Sequence, residues 1–413
     1  METREQRGIV IAATVRLAQM HGVWVVPSQS CDKRYLVDPI KGSCTCPDCQ
    51  ETGFKCKHQW AVEFTVSREQ RADGSVVEQR SFQWKEERTY SRNWVAYNEA
   101  QTTEKGRFQE LLAELCRGIP QGPRQTGRGR PRLPMSDIVF ALTFKVYSTL
   151  SMRRFAYDLN EAHKKGFMST AMHYNAISHY FESEELTPIL KGLIAQSAIP
   201  LKAVETDFAV DSSGVSTSKF VRWYDEKYGC ERSGHDWVKV HLATGVKTNV
   251  VTAAVIYGRD AADCPVLPEL VRETAERFKL NEVSADKAYL SVENVETIFA
   301  AGATPFIAIK SNTTGSAGGL FEKMFHYYQF NREQYMDHYH KRSNVESTFS
   351  MIKAKFGDSI RSRSEVASRN EVYCKVLAHN LCVAHASHIE LGIEPVFWPE
   401  STDRAVILPM SRA

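Results

Sequence analysis

Three carboxylates, Asp211, Asp286 and Glu346, stand at positions where their side chains can share metal ions. Asp211 ends the apolar run at 208–210 and Asp286 ends the short run at 283–285, so both are expected at strand ends. Glu346 lies in a predicted helix. Two such aspartates and a helical glutamate can hold two Mg²⁺ ions, and a metal pair stabilises both the attacking and the leaving oxygen of a phosphoryl transfer. The pattern predicts an enzyme that cuts and joins nucleic acid strands.

A row of charged side chains follows the helix around Glu346. At 100° per residue, Arg342 lies one turn before Glu346 and Lys353 lies two turns after it, so all three project within a narrow sector. Because a carboxylate binds metal and neighbouring cations bind phosphate, this row is predicted to face DNA. A neighbouring apolar stripe predicts that one edge of the helix packs against a sheet. Its members are Val345, Phe349, Ile352 and Phe356.

Two further aspartates, Asp207 and Asp263, are alternatives for a catalytic role. Asp207 lies at the amino end of its apolar run, whereas Asp211 lies at the carboxyl end. Asp263 is expected to cap a helix that begins near Pro265. A single aspartate after a strand is most often a turn or cap residue. The order of three acids in strand, strand and helix is what favours catalysis.

Four soft metal ligands are grouped near the amino terminus. Cys44 and Cys46 form one pair, and Cys56 and His58 form a second pair after nine intervening residues. A one-residue gap places both side chains on the same side of an extended segment. The two pairs can therefore close on one tetrahedral Zn²⁺ ion, and four protein ligands leave no open position, which predicts a structural role. Cys49 is an alternative to Cys46.

Composition restricts the class of protein. The chain has 413 residues, 43% of them hydrophobic and 24% charged, which fits roughly two to three globular domains. The net charge of +3 is too small to indicate nucleic acid binding by itself. The uneven spacing of the ten cysteines is unlike a secreted disulfide framework and predicts a reducing cytoplasm. No apolar run approaches the roughly 20 residues of a membrane span, so no membrane partner is expected.

Changes of pattern divide the chain into five predicted segments. These are a zinc module at 1–95, a helix and basic linker at 96–134, a helical region at 135–200, a catalytic domain at 201–395 and a tail at 396–413. In the zinc module, strands are predicted at 23–26 and 34–37, a helix follows His58, and a hairpin at 64–82 turns at Asp73-Gly74. The helical region is predicted to contain helices at 136–150, 151–163, 169–180 and 184–195.

The catalytic domain is predicted to be α/β. Strands are expected at 208–211, 238–243, 247–255, 283–286 and 305–309. Helices are expected at 264–278 and 292–300, and the helix that contains Glu346 is expected to be the last main one. The order βββ-α-β-α-β-α predicts a mixed sheet with helices on both faces.

Arginines and helices ahead of the catalytic domain suggest DNA contacts. Arg128, Arg130 and Arg132 lie among glycine and proline in a stretch that resembles an AT-hook, whose arginines enter a narrow minor groove. The alternative is a basic linker that touches phosphates without specificity. The helices at 135–200 can contain a helix-turn-helix that reads DNA ends. The alternative is a helical subdomain packed on the catalytic core.

The spacing Tyr-x2-Arg-x3-Glu-x6-Lys, at Tyr339, Arg342, Glu346 and Lys353, resembles the signature of the DDE transposases of bacterial insertion sequences. The stretches at 210–214 and 285–289 are similar to the two aspartate motifs of that family. The resemblance covers about residues 200–390. It implies an RNase H-like fold, and it implies that Tyr339, Arg342 and Lys353 orient DNA phosphates near the scissile bond.

The family resemblance also implies cofactors and partners. The catalytic acids Asp211, Asp286 and Glu346 are expected to bind two Mg²⁺ ions, for which Mn²⁺ can substitute. Residues 44–58 resemble a SWIM zinc finger, a small ββα module with one structural Zn²⁺. Some relatives carry a large β insertion before the glutamate, whereas the extra segment here is 315–337.

These resemblances imply a DNA transposase that cuts at the ends of an insertion sequence and joins them to target DNA. Pairing of two DNA ends implies a homodimer or larger assembly on nucleoid DNA. One alternative is a nuclease of the same fold that does not join strands. Another is a non-enzymatic DNA-binding relic, although the intact acids argue against it. Strand transfer with precut ends separates the first alternative from a transposase.

Overall fold

The computed structural model describes residues 3–29, 33–73, 93–120, 132–217, 237–310 and 312–398, with the side chains of 66–73 excepted. The chain forms two compact units, Met1–Arg92 and Asn93–Ala413. No helix within the described ranges is long and apolar enough to span a bilayer.

The amino-terminal unit combines a small antiparallel sheet, in the strand order β1-β2-β3-β4, with three helices. Its elements are α1 Arg4–Thr14, β1 Ala18–Met20, β2 Val23–Pro27, β3 Arg34–Asp38, β4 Ser43–Cys44, α2 Pro47–Thr52 and α3 Lys57–Asp73. Helix α1 packs on α3 at Gly8, where an added Cβ would lie 2.5 Å from the Cβ of Trp60. Only glycine permits this close approach without a shift. The module is therefore built around one face of α3.

The predicted hairpin at 64–82 is wrong where the structure describes it. Helix α3 continues without a break from Lys57 to Asp73. The valine and threonine at 65–66 suggested a strand, but once a helix has nucleated each added residue gains a hydrogen bond at little entropic cost. The arginine, glutamate, glutamine and alanine at 68–72 are strong helix formers. The rest of the predicted hairpin, at 74–82, lies outside the described residues.

The second unit surrounds a five-stranded mixed sheet with helices. Its first helices are α4 Trp94–Arg117, α5 Met135–Ser148, α6 Met152–Lys164, α7 Tyr174–Phe181 and α8 Leu186–Ser197. Its strands are β5 Asp207–Ser216, β6 Trp237–Gly245, β7 Val251–Gly258, β8 Glu282–Ala285 and β9 Thr304–Ile307. The remaining helices are α9 Leu267–Ala275, α10 Val292–Ala300, α11 Gly319–Phe330, α12 Arg332–Tyr339, α13 Ser343–Phe356 and α14 Glu365–Leu391. The extra segment at 315–337 is helical.

The sheet has the strand order β7-β6-β5-β8-β9. Strands β5, β6 and β7 pair antiparallel, whereas β8 pairs parallel to both β5 and β9. Alternate residues of β5 enter different cores. Phe208 and Val210 pack with α9 and α10, while Ala209 and Val215 pack with α13 and α14. The predicted α/β class, a mixed sheet covered by helices on both faces, is confirmed.

The longest helix, α14, was not predicted, since the helix of Glu346 was expected to be the last main one. Most of its 27 residues are buried, so its sequence lacks the polar stripe that marks a surface helix. It is bound to the edge strand β7 by Asn380, whose side chain accepts a hydrogen bond from Val251 N at 2.9 Å and donates one to Val251 O at 2.7 Å. This contact satisfies backbone groups of an edge strand that lack a strand partner.

The helices before the sheet differ from the prediction in one place. The helix expected from Ser169 begins at Tyr174, because Ser169 and Thr170 are used elsewhere. Their backbone N–H groups and the Ser169 hydroxyl donate to the buried Asp137 carboxylate, at 2.8 to 3.0 Å. The three residues between α5 and α6 match the 3–4-residue turn of a helix-turn-helix, whereas the nine residues between α6 and α7 exceed it. Phe155 and Ile177 of these helices lie in the core that also holds α13 and α14, which favours a packed helical subdomain.

Candidate functional site

Strand register places two of the candidate acids side by side. Val210 of β5 pairs with Ala285 of β8 in parallel, so the next residues, Asp211 and Asp286, are neighbours. Asp286 follows the end of β8 as predicted, whereas Asp211 does not end its strand, because β5 continues to Ser216 and Asp211 pairs with Leu242 of β6. Because side chains alternate along a strand, Asp211 shares the sheet face of Ala209 and Val215, the face covered by α13. Helix α13 carries Glu346 in its first turn. The three acids thus come from two adjacent strands and the helix above them.

Arg342 connects two of these acids. Its guanidinium nitrogens lie 2.6 Å from Asp211 Oδ2 and 2.6 Å from Glu346 Oε1. The charged row predicted to face DNA therefore has its arginine bound to carboxylates in this state. Tyr339 lies next to it, with its ring centroid 5.9 Å from the guanidinium carbon. A cation thus occupies the space between a strand acid and the helix acid.

The charges of the site act on the pKa of Asp211. Burial raises this pKa, the N–H of Ser212 and the Arg342 guanidinium oppose the rise, and the nearby carboxylates of Asp286 and Glu346 add to it. Carboxylates that raise the pKa of a neighbouring acid repel its negative charge. A cation that binds among these acids relieves the repulsion, and this favours metal ligation at Asp211.

A cleft of about 680 Å³ opens beside Asp211 and Glu346. Lys353 lines it and donates from Nζ to Ser213 Oγ at 2.7 Å. Burial lowers the pKa of Lys353, which indicates an amine partly removed from water beside the acids. The rest of the lining consists of Ser212, Phe349, Ser350, Ala354 and Asp358. Asp286 follows β8 and does not line this cleft.

Asp263 holds the N-cap position of the short 3-10 helix Cys264–Val266, as predicted, but its side chain makes no capping hydrogen bond. Its carboxylate instead accepts from Lys239 Nζ at 2.6 Å and from Ser212 Oγ at 3.0 Å. The buried His241 lies beside it, and its Nδ1 is 3.0 Å from the Tyr289 hydroxyl. This polar group adjoins Asp211 through the next residue, Ser212. Ser212 pairs with His241 across β5 and β6 and donates to Asp263. Sequence reasoning did not predict it, because its members come from four separate segments.

Asp207, the other alternative acid, lies at the amino end of β5 and forms an ion pair there. Lys341 donates to its carboxylate at 2.7 Å and to that of Glu282 at 2.7 Å. Asp207 and Glu282 are neighbours in the parallel register of β5 and β8. This lysine neutralises two acids at the amino ends of the strands. Asp207 is thus engaged away from Asp211.

The four predicted zinc ligands lie together in the amino-terminal unit. The ligand atoms of Cys44, Cys46, Cys56 and His58 all lie within 4.8 Å of one another, and all four residues are buried. His58 Nδ1 is 4.0 Å from Cys44 Sγ and 3.9 Å from Cys56 Sγ. Tetrahedral zinc separates sulfur and nitrogen ligands by about 3.6 Å from its usual bond lengths. Three thiols and an imidazole at these spacings fit one Zn²⁺ ion.

Gln59 organises the turn that carries these ligands. Its Oε1 accepts from Cys56 N at 2.9 Å, and its Nε2 donates to Gly42 O at 2.7 Å. The same oxygen also accepts a hydrogen bond from Cys49 Sγ at 3.6 Å. Cys49 thus contacts Gln59, while Cys46 belongs to the metal-ligand group. Among the residues described, no other group of three or more histidine, cysteine or acidic side chains is spaced this tightly.

The predicted basic linker is described only in part. Arg128 and Arg130 lie outside the described residues. Arg132 lies 3.9 Å from Glu185, with both side chains mostly exposed. Exposed pairs of this kind contribute little to stability.

Comparison with protein families assigns both parts of the chain. Residues 202–381 match the transposase DDE domain, and residues 23–67 match the SWIM zinc finger. The chain carries a transposase DDE domain and a SWIM zinc finger. A search of curated proteins finds no match. The DDE domain contains Asp211, Asp286, Arg342, Glu346 and Lys353, and the SWIM finger contains all four zinc ligands.

The family assignment agrees with the resemblance found in the sequence. The cleft beside Asp211 and Glu346 lies in the segment that matches the transposase DDE domain. The SWIM finger accounts for the cysteine and histidine pairs, and its ligand set supports a bound Zn²⁺ ion.

Proposed function

We propose that this protein is a DNA transposase that cuts at the ends of an insertion sequence and joins the freed 3′-OH to target DNA. The observation that carries the proposal is the parallel register of β5 and β8, which brings Asp211 beside Asp286 under the helix of Glu346. The match of residues 202–381 to a transposase domain supports the same reading. The catalytic residues proposed are these three acids.

The acids fit a pair of divalent cations. Asp211 and Glu346 already share one cation, the Arg342 guanidinium, so their charge and separation suit a positive group between them. Asp211, Asp286 and Glu346 would hold two Mg²⁺ ions, which when bound polarise the scissile phosphate and favour ionisation of water. Carboxylate oxygens are the ligands that Mg²⁺ prefers. Mn²⁺ accepts the same ligands.

The side chains around the acids position the DNA in this proposal. Lys353 is half-buried beside Asp211 and supplies one charge to a backbone phosphate in the cleft. Tyr339 stands next to Arg342 and would contact the sugar-phosphate near the scissile bond. Arg342 would exchange its carboxylate partners for phosphate oxygens, which its planar fork suits equally well. Tyr339 at the end of α12, Arg342 in the turn before α13 and Lys353 on α13 would then orient the strand that is cut.

Partners and location follow from the same reaction. Joining two ends of one insertion sequence requires two active sites, so we propose a homodimer or larger assembly on DNA. The substrate places the protein on nucleoid DNA in the cytoplasm, which agrees with the free thiols of all eight cysteines described.

Strand transfer with precut DNA ends tests the proposal. The wild-type chain, with Mg²⁺ and a labelled precut end, should form a product covalently joined to target plasmid. Cleavage of uncut ends without any joining would indicate a nuclease of the same fold. Binding with neither reaction, in protein that is folded and zinc-loaded, would indicate a DNA-binding relic. Asp286→Asn protein is the negative control.

A further inference from the structure

A second cavity in the carboxyl-terminal unit is lined by more cations than acids. It measures about 270 Å³ and lies among α5, α7, α13, α14 and the segment 359–363. Four cations line it, namely Lys145, Arg361, Arg363 and Lys375, against two acids, Glu182 and Glu371. The rest of the lining combines apolar side chains with small hydroxyl residues.

Lys145 is the unusual member of this lining. The residue is only 5% exposed, yet its ammonium group has no hydrogen bond or ion pair to any part of the chain that the structure describes. The Phe155 ring lies over it, with its centroid 5.9 Å away, and Glu371 attracts the amine electrostatically without a hydrogen bond to it. Burying a charge without a partner is costly. A buried amine with free donors that lines a cavity indicates that the cavity receives an acceptor.

The acids of the cavity do not supply that acceptor. The Glu371 carboxylate is occupied by Arg361 N, Ser362 N and the Ser362 hydroxyl, at 2.7 to 3.1 Å. Lys375 donates to the carbonyls of Gly357 and Ser359, both at 2.8 Å. These bonds fix the segment that forms one wall of the cavity.

Arg361 and Arg363 complete the positive lining from the solvent side. Arg361 donates to the carbonyl oxygens of Thr149 and Leu150 at 2.7 and 2.9 Å, which holds that guanidinium at the end of α5. Arg363 is exposed and has no hydrogen bond or ion pair within the described residues. Burial lowers the pKa of Lys145 to about 8, so most of the amine remains charged at pH 7. The cavity therefore offers one buried and one exposed cation with free donors.

The cavity adjoins the catalytic cleft through the end of α13. Asp358 lines the cleft and the next residue, Ser359, lines the cavity. Ser359 forms a bridge to Ser216 at the end of β5, the strand that carries Asp211. A DNA strand seated at the acids would pass within a few residues of this wall.

We propose that this cavity binds a backbone phosphate of the DNA strand that occupies the neighbouring cleft, with Lys145 and Arg363 as its ligands. This proposal rests on the proposed function only for its ligand, since a DNA enzyme brings phosphodiesters to that wall. Phosphate oxygens accept from ammonium and guanidinium groups, and the buried surroundings of Lys145 strengthen its contact. The site would hold the strand at a fixed distance from the scissile bond.

The test measures DNA binding by the full chain without divalent metal, so that its outcome is independent of cleavage. Lys145→Met and Arg363→Gln should each reduce the log–log salt slope of binding by about 0.9, the value for one lost phosphate contact. Lys279→Met is the matched control, because Lys279 is exposed before β8 and does not line the cavity. Its slope should equal that of the wild type. Melting temperatures verify that each variant is folded.

Neutral methylphosphonate substitutions along the DNA end locate the contact. A methylphosphonate at one DNA position should weaken binding by the wild type. The same substitution should not weaken binding by Lys145→Met or Arg363→Gln protein. An unchanged salt slope in both folded variants, with no such position, would overturn the proposal and leave Lys145 as a structural residue. Stabilisation of the wild type by inorganic phosphate alone, with an unchanged slope, would assign the cavity to a free anion instead. If the wild type fails to cleave DNA in a separate assay with Mg²⁺ while the two variants show a reduced salt slope, the proposed function is refuted and this phosphate site is retained.

Discussion

Arg342 binds Asp211 across 131 positions of sequence, with 2.6 Å between its guanidinium nitrogen and the carboxylate oxygen. The same side chain reaches Glu346 one turn along α13. Two acids of the proposed metal site are thus neutralised by an arginine of the same signature. Any divalent cation that binds between Asp211 and Glu346 must displace this guanidinium, which makes arginine and metal competitors for the same oxygens.

The first prediction follows from this competition. Arg342→Gln should lower the Mg²⁺ concentration for half-maximal activity by about tenfold, equivalent to one charged hydrogen bond of about 1.4 kcal/mol. The maximal cleavage rate should fall, because glutamine cannot make the forked phosphate contact. Mg²⁺ titration of cleavage measures both values. Arg332→Gln, an exposed change on α12, is the control. A half-maximal concentration that stays the same or rises in Arg342→Gln would contradict the competition.

A second prediction concerns the three acids. Asp211→Asn, Asp286→Asn and Glu346→Gln should each reduce cleavage at least about 10³-fold, because metal ligation contributes several kcal/mol to the transition state. DNA affinity should change little, since it comes mainly from basic contacts. Asp207→Asn is the matched control on the same strand and should cut within a few-fold of wild type. Near-normal cleavage by one of the three variants would remove that acid from the catalytic set.

A third prediction concerns the zinc ligands. Elemental analysis of Cys44→Ser and His58→Ala should show loss of the single zinc, while Cys49→Ser should keep it, since Cys49 contacts Gln59 instead. Because metal binding supplies folding energy to so small a module, loss of zinc should unfold the amino-terminal unit. The thermal transition of the DDE domain should be retained. Zinc retained by the double variant Cys44→Ser/His58→Ala would disprove the ligand assignment.

Gln59 provides a fourth prediction. Gln59→Leu removes the hydrogen bonds to Cys56 N and Gly42 O without removing a ligand. Zinc affinity should fall by about 10- to 100-fold, as is typical when a residue that orients metal ligands is lost. Competition with a chelator measures this affinity. Gln50→Leu, an exposed change on the neighbouring helix α2, should leave it unchanged. Equal affinities for the two variants would show that Gln59 does not position the ligands.

A fifth prediction concerns pH and the buried His379. Burial lowers its pKa from 6.5 to about 4 in the folded chain. The neutral form is therefore favoured by folding, and the stability it contributes at pH 7 is lost as pH falls from about 6.5 towards 4. Between pH 7.5 and 5 this amounts to about 2 kcal/mol, from 1.4 kcal/mol per pH unit below the unfolded pKa. His241, whose burial also lowers its pKa to about 4, acts in the same direction.

Amide protection of α14 during urea unfolding at pH 7.5 and 5.0 tests this fifth prediction. His379→Gln should be less stable at pH 7.5 but should lose less stability on acidification than the wild type. The exposed His326 supplies the control, since His326→Gln should retain the full wild-type loss. The same loss in His379→Gln as in the wild type would mean that this histidine does not set the acid response.

The sequence by itself indicated three candidate acids in the order strand, strand and helix, and the four side chains proposed as zinc ligands. Asp211 and Asp286 follow apolar runs, which was enough to predict their strands. Glu346 and Lys353 lie on one helix, α13, as predicted, whereas Tyr339 ends α12 and Arg342 lies in the short 3-10 turn His340–Arg342 between the two helices. The metal-binding pairs were equally local, because a one-residue gap already fixes which side chains face each other. The α/β class followed from the alternation of strand and helix patterns.

The tertiary structure alone decided how these residues are used. Arg342 was predicted to face DNA, but only the packing of α13 over β5 shows it bound to Asp211 and Glu346. Asp263 was predicted as a cap and holds that position, but only the tertiary structure shows its carboxylate bound to Lys239 and Ser212. Helix α14 escaped prediction because a helix buried on most sides carries no amphipathic period. Contacts between distant segments depend on packing geometry, which the periodicity of a single segment does not contain.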